Sequence, residues 1–214
     1  FSRVRNMTGR KVACLLLVVA GTELTSGLEL KKRIRGNIAP KSIVHSGTGL
    51  FFAQNMMYRH TITVYDRDFN LVATISDKIK ADLLDRTTYV GEYRGAPVEA
   101  AFSHNGKYAW VTNYQMFGHG FQNPGNDSCE STVKHDISYV YMINTENMNV
   151  EKTVAVGSVP KYLAASPDSR WILVSNWCSG DMSIIDSELG KEIQRIKVGR
   201  YPRGIVVDSA SVTA

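Results

Sequence analysis

Several things this chain lacks narrow its class before anything present is weighed. No apolar run approaches the about 20 residues that a membrane-spanning helix needs; the most apolar stretch, Val12 to Ala20, is far shorter. The three cysteines, Cys14, Cys129 and Cys178, form no C-x-x-C and no C-x-x-C-H for covalent haem. H-E-x-x-H is also missing, as is the G-x-S-x-G nucleophile elbow. No cofactor and no compact metal motif is therefore expected. A broad basic face for phosphate backbones is not expected either, although Lys and Arg number 25 against 20 Asp and Glu. The excess sits at the start, in Arg3, Arg5, Arg10, Lys11, Lys31, Lys32, Arg33 and Arg35, opposed by Glu23 and Glu29. The remainder is electrically balanced, and a hydrophobic content of 43% with 21% charged residues describes a globular body.

What is present begins with a short leader pattern. Thr8-Gly9-Arg10-Lys11 is a positive n-region, Val12 to Ala20 a short apolar h-region, and Gly21 to Gly27 small and polar. That order predicts a secretory signal within residues 1–27, with Met7 as a plausible start and cleavage after Ala20 or Gly27. A buried first strand is the plainer alternative. Export would place the protein in the periplasm, on the cell surface or in the medium.

From Ile38 onward the chain repeats. Its reference copy runs Val159 to Asn176, then Asp181 to Asp186, a Leu189-Gly190 turn and Lys191 to Gly199, before Tyr201-Pro202-Arg203-Gly204 starts again. Pro160 and Pro202 are about 42 residues apart, and four short Val, Ile, Leu and Trp-rich runs bounded by turn residues fill each period, the pattern of a propeller blade. The frame recurs from Pro40 to Asn55, Pro97 to Asn113 and Pro160 to Asn176 at almost constant spacing. The prediction is an all-β propeller over 28–214, with blades near 38–75, 95–157, 158–199 and a partial 200–214. Unit four is much shorter than unit three, so the chain reads as an N-terminal fragment of a longer ring.

Trp110-Val111-Thr112-Asn113 and Val174-Ser175-Asn176, with Ser166-Pro167-Asp168 ahead and Gly157 or Gly199 behind, resemble the YVTN-type beta-propeller repeat. The resemblance covers Ile38 to the C-terminus and implies a ring of seven blades in a secreted or cell-surface protein. Similar propellers include lactonase-like hydrolases, the haem domain of nitrite reductases, quinone-dependent amine dehydrogenases and a periplasmic binder of single-stranded DNA. The fold does not choose among them.

In such a blade the links between strands two and three share an end with the links from strand four to the next blade. Two insertions, 76–94 and 114–137, therefore extend one face, and long loops on a rigid scaffold are where function concentrates. Ile79 to Leu84 is expected to form a helical turn. Cys129 lies in the second insertion and Cys178 in the equivalent link of the next blade, so a Cys129–Cys178 disulfide is predicted once Cys14 is removed with the leader; two free thiols are the alternative.

The residues after the repeat prolines, Lys41, Val98, Lys161 and Arg203, enter the innermost strands at the same face. With Glu99, Tyr162, Trp177 and Tyr201 they could bind an anionic small molecule or, less strongly, single-stranded nucleic acid; the plainer reading is that they pair with neighbouring acids and fill space between blades. His60, His119 and His135, near Cys129, Cys178, Asp127 and Asp181 in register, invite a metal but match no ligand spacing, and solvated loop histidines are expected. Asn55, Asn113 and Asn176 are expected to bond turn backbone. The leading expectation is an exported, non-catalytic propeller that binds an unknown protein or anionic ligand on the elaborated face. The alternative is a propeller enzyme, a lactonase-like hydrolase or cofactor-dependent oxidoreductase, at the channel mouth.

Overall fold

A computed structural model describes residues 29–84, 91–130 and 133–214. The expected signal segment, including Met7 and Val12 to Ala20, lies outside them. The described residues 29–33 belong to a different unit from Ile34–Ala214; there Lys31 pairs with Glu29 at 2.7 Å.

From Ile34 onward three four-stranded antiparallel sheets follow one another, each with its strands in chain order. Blade one holds β1 (Ser42–His45), β2 (Phe51–Asn55), β3 (Thr61–Tyr65) and β4 (Leu71–Ser76). A small ribbon follows, β5 (Lys78–Lys80) paired with β6 (Glu92–Arg94), with a 3-10 turn at Ala81–Leu84. Blade two is β7 (Pro97–Ser103), β8 (Tyr108–Asn113), β9 (Ser138–Asn144) and β10 (Asn149–Val156). Blade three is β11 (Pro160–Ala165), β12 (Trp171–Asn176), β13 (Asp181–Asp186) and β14 (Lys191–Lys197).

Middle strands β8, β9 and β12 are buried along nearly their whole length, which is why they read as near-continuous apolar runs, whereas β3 and β13 keep an alternation in sequence or in burial. The core accordingly lies between sheets. Phe52 of blade one meets Phe102 of blade two edge-on at 5.1 Å, and Trp110 of blade two packs with Leu163, Ile172, Val174 and Ile185 of blade three. Across the first boundary the Ser42 hydroxyl donates to Val98 O at 2.8 Å.

Residues 198–214 form no strand, yet they keep the conformation of a blade's first turn. In units two, three and four the same backbone bond closes it: Gly106 N–H to Ser103 O, Ser169 N–H to Ser166 O and Ser211 N–H to Asp208 O, at 3.1, 2.8 and 3.1 Å. The closing residue has positive φ in all four units, at Gly49, Gly106, Ser169 and Ser211 (109°, 81°, 64° and 60°). A side chain caps the turn from one position in three of them: Ser46 Oγ accepts from Leu50 N–H at 3.0 Å, Ser166 Oγ from Trp171 N–H at 2.9 Å, and Asp208 Oδ1 from Val212 N–H at 2.8 Å. The start of a fourth unit is thus written in its turn, without a strand over residues 198–214.

Two local expectations are corrected. Ile79 belongs to a strand and is buried, and helical geometry starts only at Ala81. Asn55, Asn113 and Asn176 are fully buried, and each amide reaches into strand three, to Thr63 Oγ1 at 3.1 Å, Tyr139 O at 3.1 Å and Ser183 Oγ at 2.9 Å; among the described residues only Asn55 also meets link backbone, its Oδ1 accepting from Ala39 N–H at 2.9 Å. An amide at a covered strand end must find its partner across the ladder.

Candidate functional site

Both insertions rise from one face and join each other there. Arg94 at the end of the first and Phe117 in the second exchange backbone hydrogen bonds of 3.0 and 2.7 Å. Tyr93, 1% exposed, lies against the second insertion, meeting Phe121 edge-on at 5.8 Å. Gly118 (φ 135°) allows this approach, since a Cβ there would stand 2.5 Å from the Tyr93 ring.

The first insertion is rooted by a buried acid. Asp77 is 1% exposed, and its Oδ2 lies 2.9 Å from His60 Nδ1, which also stands 3.1 Å from Gly95 O. Its backbone carbonyl accepts from the Tyr141 hydroxyl at 3.0 Å and the Gly95 N–H at 3.2 Å. Burial pushes the Asp77 carboxyl up from 3.8 to about 6, with His60 and Arg94 pulling the other way. His60 is thus engaged with a buried carboxyl rather than standing free in a solvated loop.

The second insertion is held by a covalent bond and a caged cation. Cys129 and Cys178 form a disulfide with Cα atoms 5.0 Å apart. Beside it Lys161 Nζ lies 3.8 Å from the Trp177 ring centre, near the Tyr114 ring, and pairs with Asp127. The lysine side chain is only 10% exposed although its partner carboxylate is 76% exposed. Tyr114 donates its hydroxyl to Asp127 Oδ1 at 2.8 Å, and the Trp177 indole N–H donates to Asp127 O at 3.2 Å. Hydrogen bonds from Lys161 and then Tyr114 hold the Asp127 carboxyl below its usual range, and burial first, then Asp127, raises Tyr114. Tyr201 stacks on Trp177 at 4.8 Å and reaches Ser128 O at 3.3 Å, and Arg200 lies over Tyr201 at 5.6 Å. The result is a ladder of cation, indole, phenol and cation across three segments of chain.

Of the residues singled out in the sequence, Lys161 and Tyr201 meet in this ladder. Lys41 stays exposed, its charge reaching Asp127. Glu99 is half-buried; burial raises its carboxyl, opposed in part by the Ala100 N–H and Arg203. Tyr162 contributes its carbonyl, which accepts from Ser175 Oγ at 3.4 Å. His119 is exposed. His135 is not solvated as expected: both ring nitrogens are buried and lack a hydrogen-bond partner among the described residues, because Gly125 lets the loop close over the ring. Among the described residues no three His, Cys, Asp or Glu side chains form a group that could hold a metal. Sequence reasoning missed Asp77, Tyr114 and Arg200; Asp77 and Tyr114 were marked only by lying in the two insertions, and Arg200 only by preceding Tyr201.

No protein-family model and no curated protein matches the sequence. Among solved structures the chain is similar to hydrazine synthase of Kuenenia stuttgartiensis, with a TM-score of 0.59 and 16% identity over 86% of this chain and 44% of that one. The chain is a partial β-propeller. It spans less than half of that neighbour's length. It is also similar to the dihydro-heme d1 dehydrogenase NirN, with a TM-score of 0.47 and 15% identity over 72% of this chain and 26% of that one. At 16% identity the likeness to hydrazine synthase speaks for the propeller fold alone and leaves the chemistry to the residues of this chain.

Proposed function

We propose that this is an exported, non-catalytic propeller with YVTN-type repeats, acting as an interaction scaffold through the face that carries insertions 76–94 and 114–137. One observation carries the reading: Lys161, the cation best placed to serve chemistry at the channel mouth, is spent on fastening the second insertion through Asp127 and Trp177. A preorganised, interlocked loop pair suits recognition, because little ordering remains to be done on binding. Lys41, Arg200 and Arg203 stand exposed with no carboxylate partner within ion-pair distance among the described residues, which favours an anionic partner, a protein surface or a small acid, and leaves single-stranded nucleic acid the weaker candidate. A disulfide is compatible with export, and no helix among the described residues is long and apolar enough to cross a membrane.

The test is face selectivity. A photo-crosslinking residue at Lys41 or Arg200 should capture a partner from the exported fraction, and one at Asp68 or Glu146, in turns at the other end of the blades, should not. Equal capture from both ends overturns the reading.

A second reading, a channel-mouth enzyme, rests on Glu99, a half-buried carboxyl with a raised pKa within the field of Arg203; the neighbour hydrazine synthase is itself named as an enzyme. Hydrolysis of lactones or aryl esters that disappears in Glu99→Gln would favour it.

A further inference from the structure

The Cys129–Cys178 bond does more than tie two loops together, because it lines an open cleft. That cleft, about 380 Å³, is bounded by both cysteines with Trp177, Tyr201, Lys197 and Arg200. Cys129 is 7% exposed whereas Cys178 is half-buried. A thiolate arriving from solvent therefore meets Cys178 Sγ, and Cys129 is the sulfur that would depart. Exchange runs through attacking and leaving thiolates, and cations beside the sulfurs favour both. Lys197 at the rim is held by Asp181, Nζ to Oδ2 at 3.1 Å; Arg200, over Tyr201, is the cation with no acid beside it among the described residues.

An independent observation comes from the other side of the bond. His135 buries both ring nitrogens without a hydrogen bond, a cost that calls for a reason. Its ring and Cys178 Sγ line one narrow gap at Gly125: a Cβ placed there would be 3.2 Å from the sulfur and 3.3 Å from the ring. An unpaired base on the same gap as Cys178 Sγ, a sulfur that must gain a proton on reduction, supplies that reason.

We propose that Cys129–Cys178 is a thiol–disulfide exchange site whose substrate is a dithiol, and that its redox state sets whether the 114–137 insertion is fastened. One partner thiolate attacks Cys178 Sγ, the sulfur–sulfur bond breaks, and Cys129 leaves as thiolate and is protonated. The partner's second thiolate then attacks the mixed disulfide and releases Cys178. Two electrons pass from the dithiol to the cysteine pair, the partner departs as a disulfide, and its two protons end on Cys129 and Cys178. His135 is the group placed to relay them. The inference does not depend on the scaffold reading.

The experiment is reduction of the folded, full chain without denaturant, followed by thiol trapping, with three reductants: dithiothreitol, glutathione and a C-x-x-C oxidoreductase. Reduction should proceed with the far-UV spectrum intact. His135→Asn should slow it about tenfold near neutral pH and flatten its pH profile. Arg200→Gln, an exposed change that leaves folding alone, should slow anionic glutathione a few-fold more than neutral dithiothreitol, a gap that added salt closes. Turnover with the C-x-x-C protein assigns the dithiol to a protein source, turnover with dithiothreitol but not that protein assigns it to a low-molecular-weight dithiol, and glutathione, a monothiol, reducing the bond as fast as either overturns the dithiol assignment. A bond reduced only in denaturant overturns the proposal. So do rates that neither variant changes, and if His135→Asn does not fold, the Arg200→Gln comparison decides.

Discussion

The two insertions sit side by side on one face and are fastened by opposite means. The first is rooted by a buried, titratable carboxyl, Asp77, hydrogen-bonded to His60, with no covalent link. The second is stapled by a disulfide and by a cation held between aromatic rings near the surface. A buried acid contributes through the protonation state the fold favours, whereas a cross-link acts mainly on the unfolded chain. The first insertion should therefore respond to pH and the second to redox conditions.

Breaking the staple should have the largest effect. Cys129→Ser with Cys178→Ser is expected to cost about 2–4 kcal/mol in urea unfolding, with faster amide exchange confined to 114–137 and the ribbon of β5 and β6 unchanged. Comparable protection loss in both insertions would erase the contrast. Next comes the buried acid. Its pKa is raised in the fold, so its contribution to stability is full below pH 3.8 and is lost as pH rises through about 6. Replacing it with Asn should remove a pH dependence of at most about 3 kcal/mol across that window, measured as thermal midpoint against pH; an unchanged slope would deny Asp77 this role. Trp177→Ala should cost about 1–2 kcal/mol and loosen the second insertion alone. Asp127→Asn, at an exposed carboxylate, should cost less than about 1 kcal/mol and diminish with salt.

The fold was legible because its turns repeat their chemistry at fixed positions. Ser46, Ser103, Ser166 and Asp208 occupy one place in four units, and the residue closing each turn adopts the same left-handed conformation whether it is Gly49 or Ser211. Strand order follows from such local signals with short connections. The disulfide could be read for the same reason, since the register sets Cys129 and Cys178 in equivalent links. The site was less legible because its partners come from irregular segments. Nothing near Asp77 in sequence announces His60, which faces it one step beyond the Thr61–Ser76 pair of the β3–β4 ladder, where the Asp77 N–H donates to His60 O at 3.3 Å. Lys161 was marked by its register, but its capture by Asp127 depends on how the 114–137 loop folds over it. His135 shows the limit most sharply: its spacing suggested a solvated loop, and the close approach at Gly125 buried it instead.

The stacked ladder also gives the molecule an optical reporter. Of the three tryptophans, Trp110 is fully buried in the core and Trp171 lies under the Arg170 guanidinium at 4.5 Å. Trp177 alone among them stands next in sequence to a disulfide cysteine, with an ammonium on its ring. Disulfides and close cations drain the excited state of an indole, so Trp177 should be dark while the second insertion is fastened. Opening the staple should brighten it and shift its emission to the red, and the difference between wild type and Trp177→Phe would isolate that signal from the other two tryptophans. The geometry that clamps the loop is thus also a means of watching it in solution without any added label.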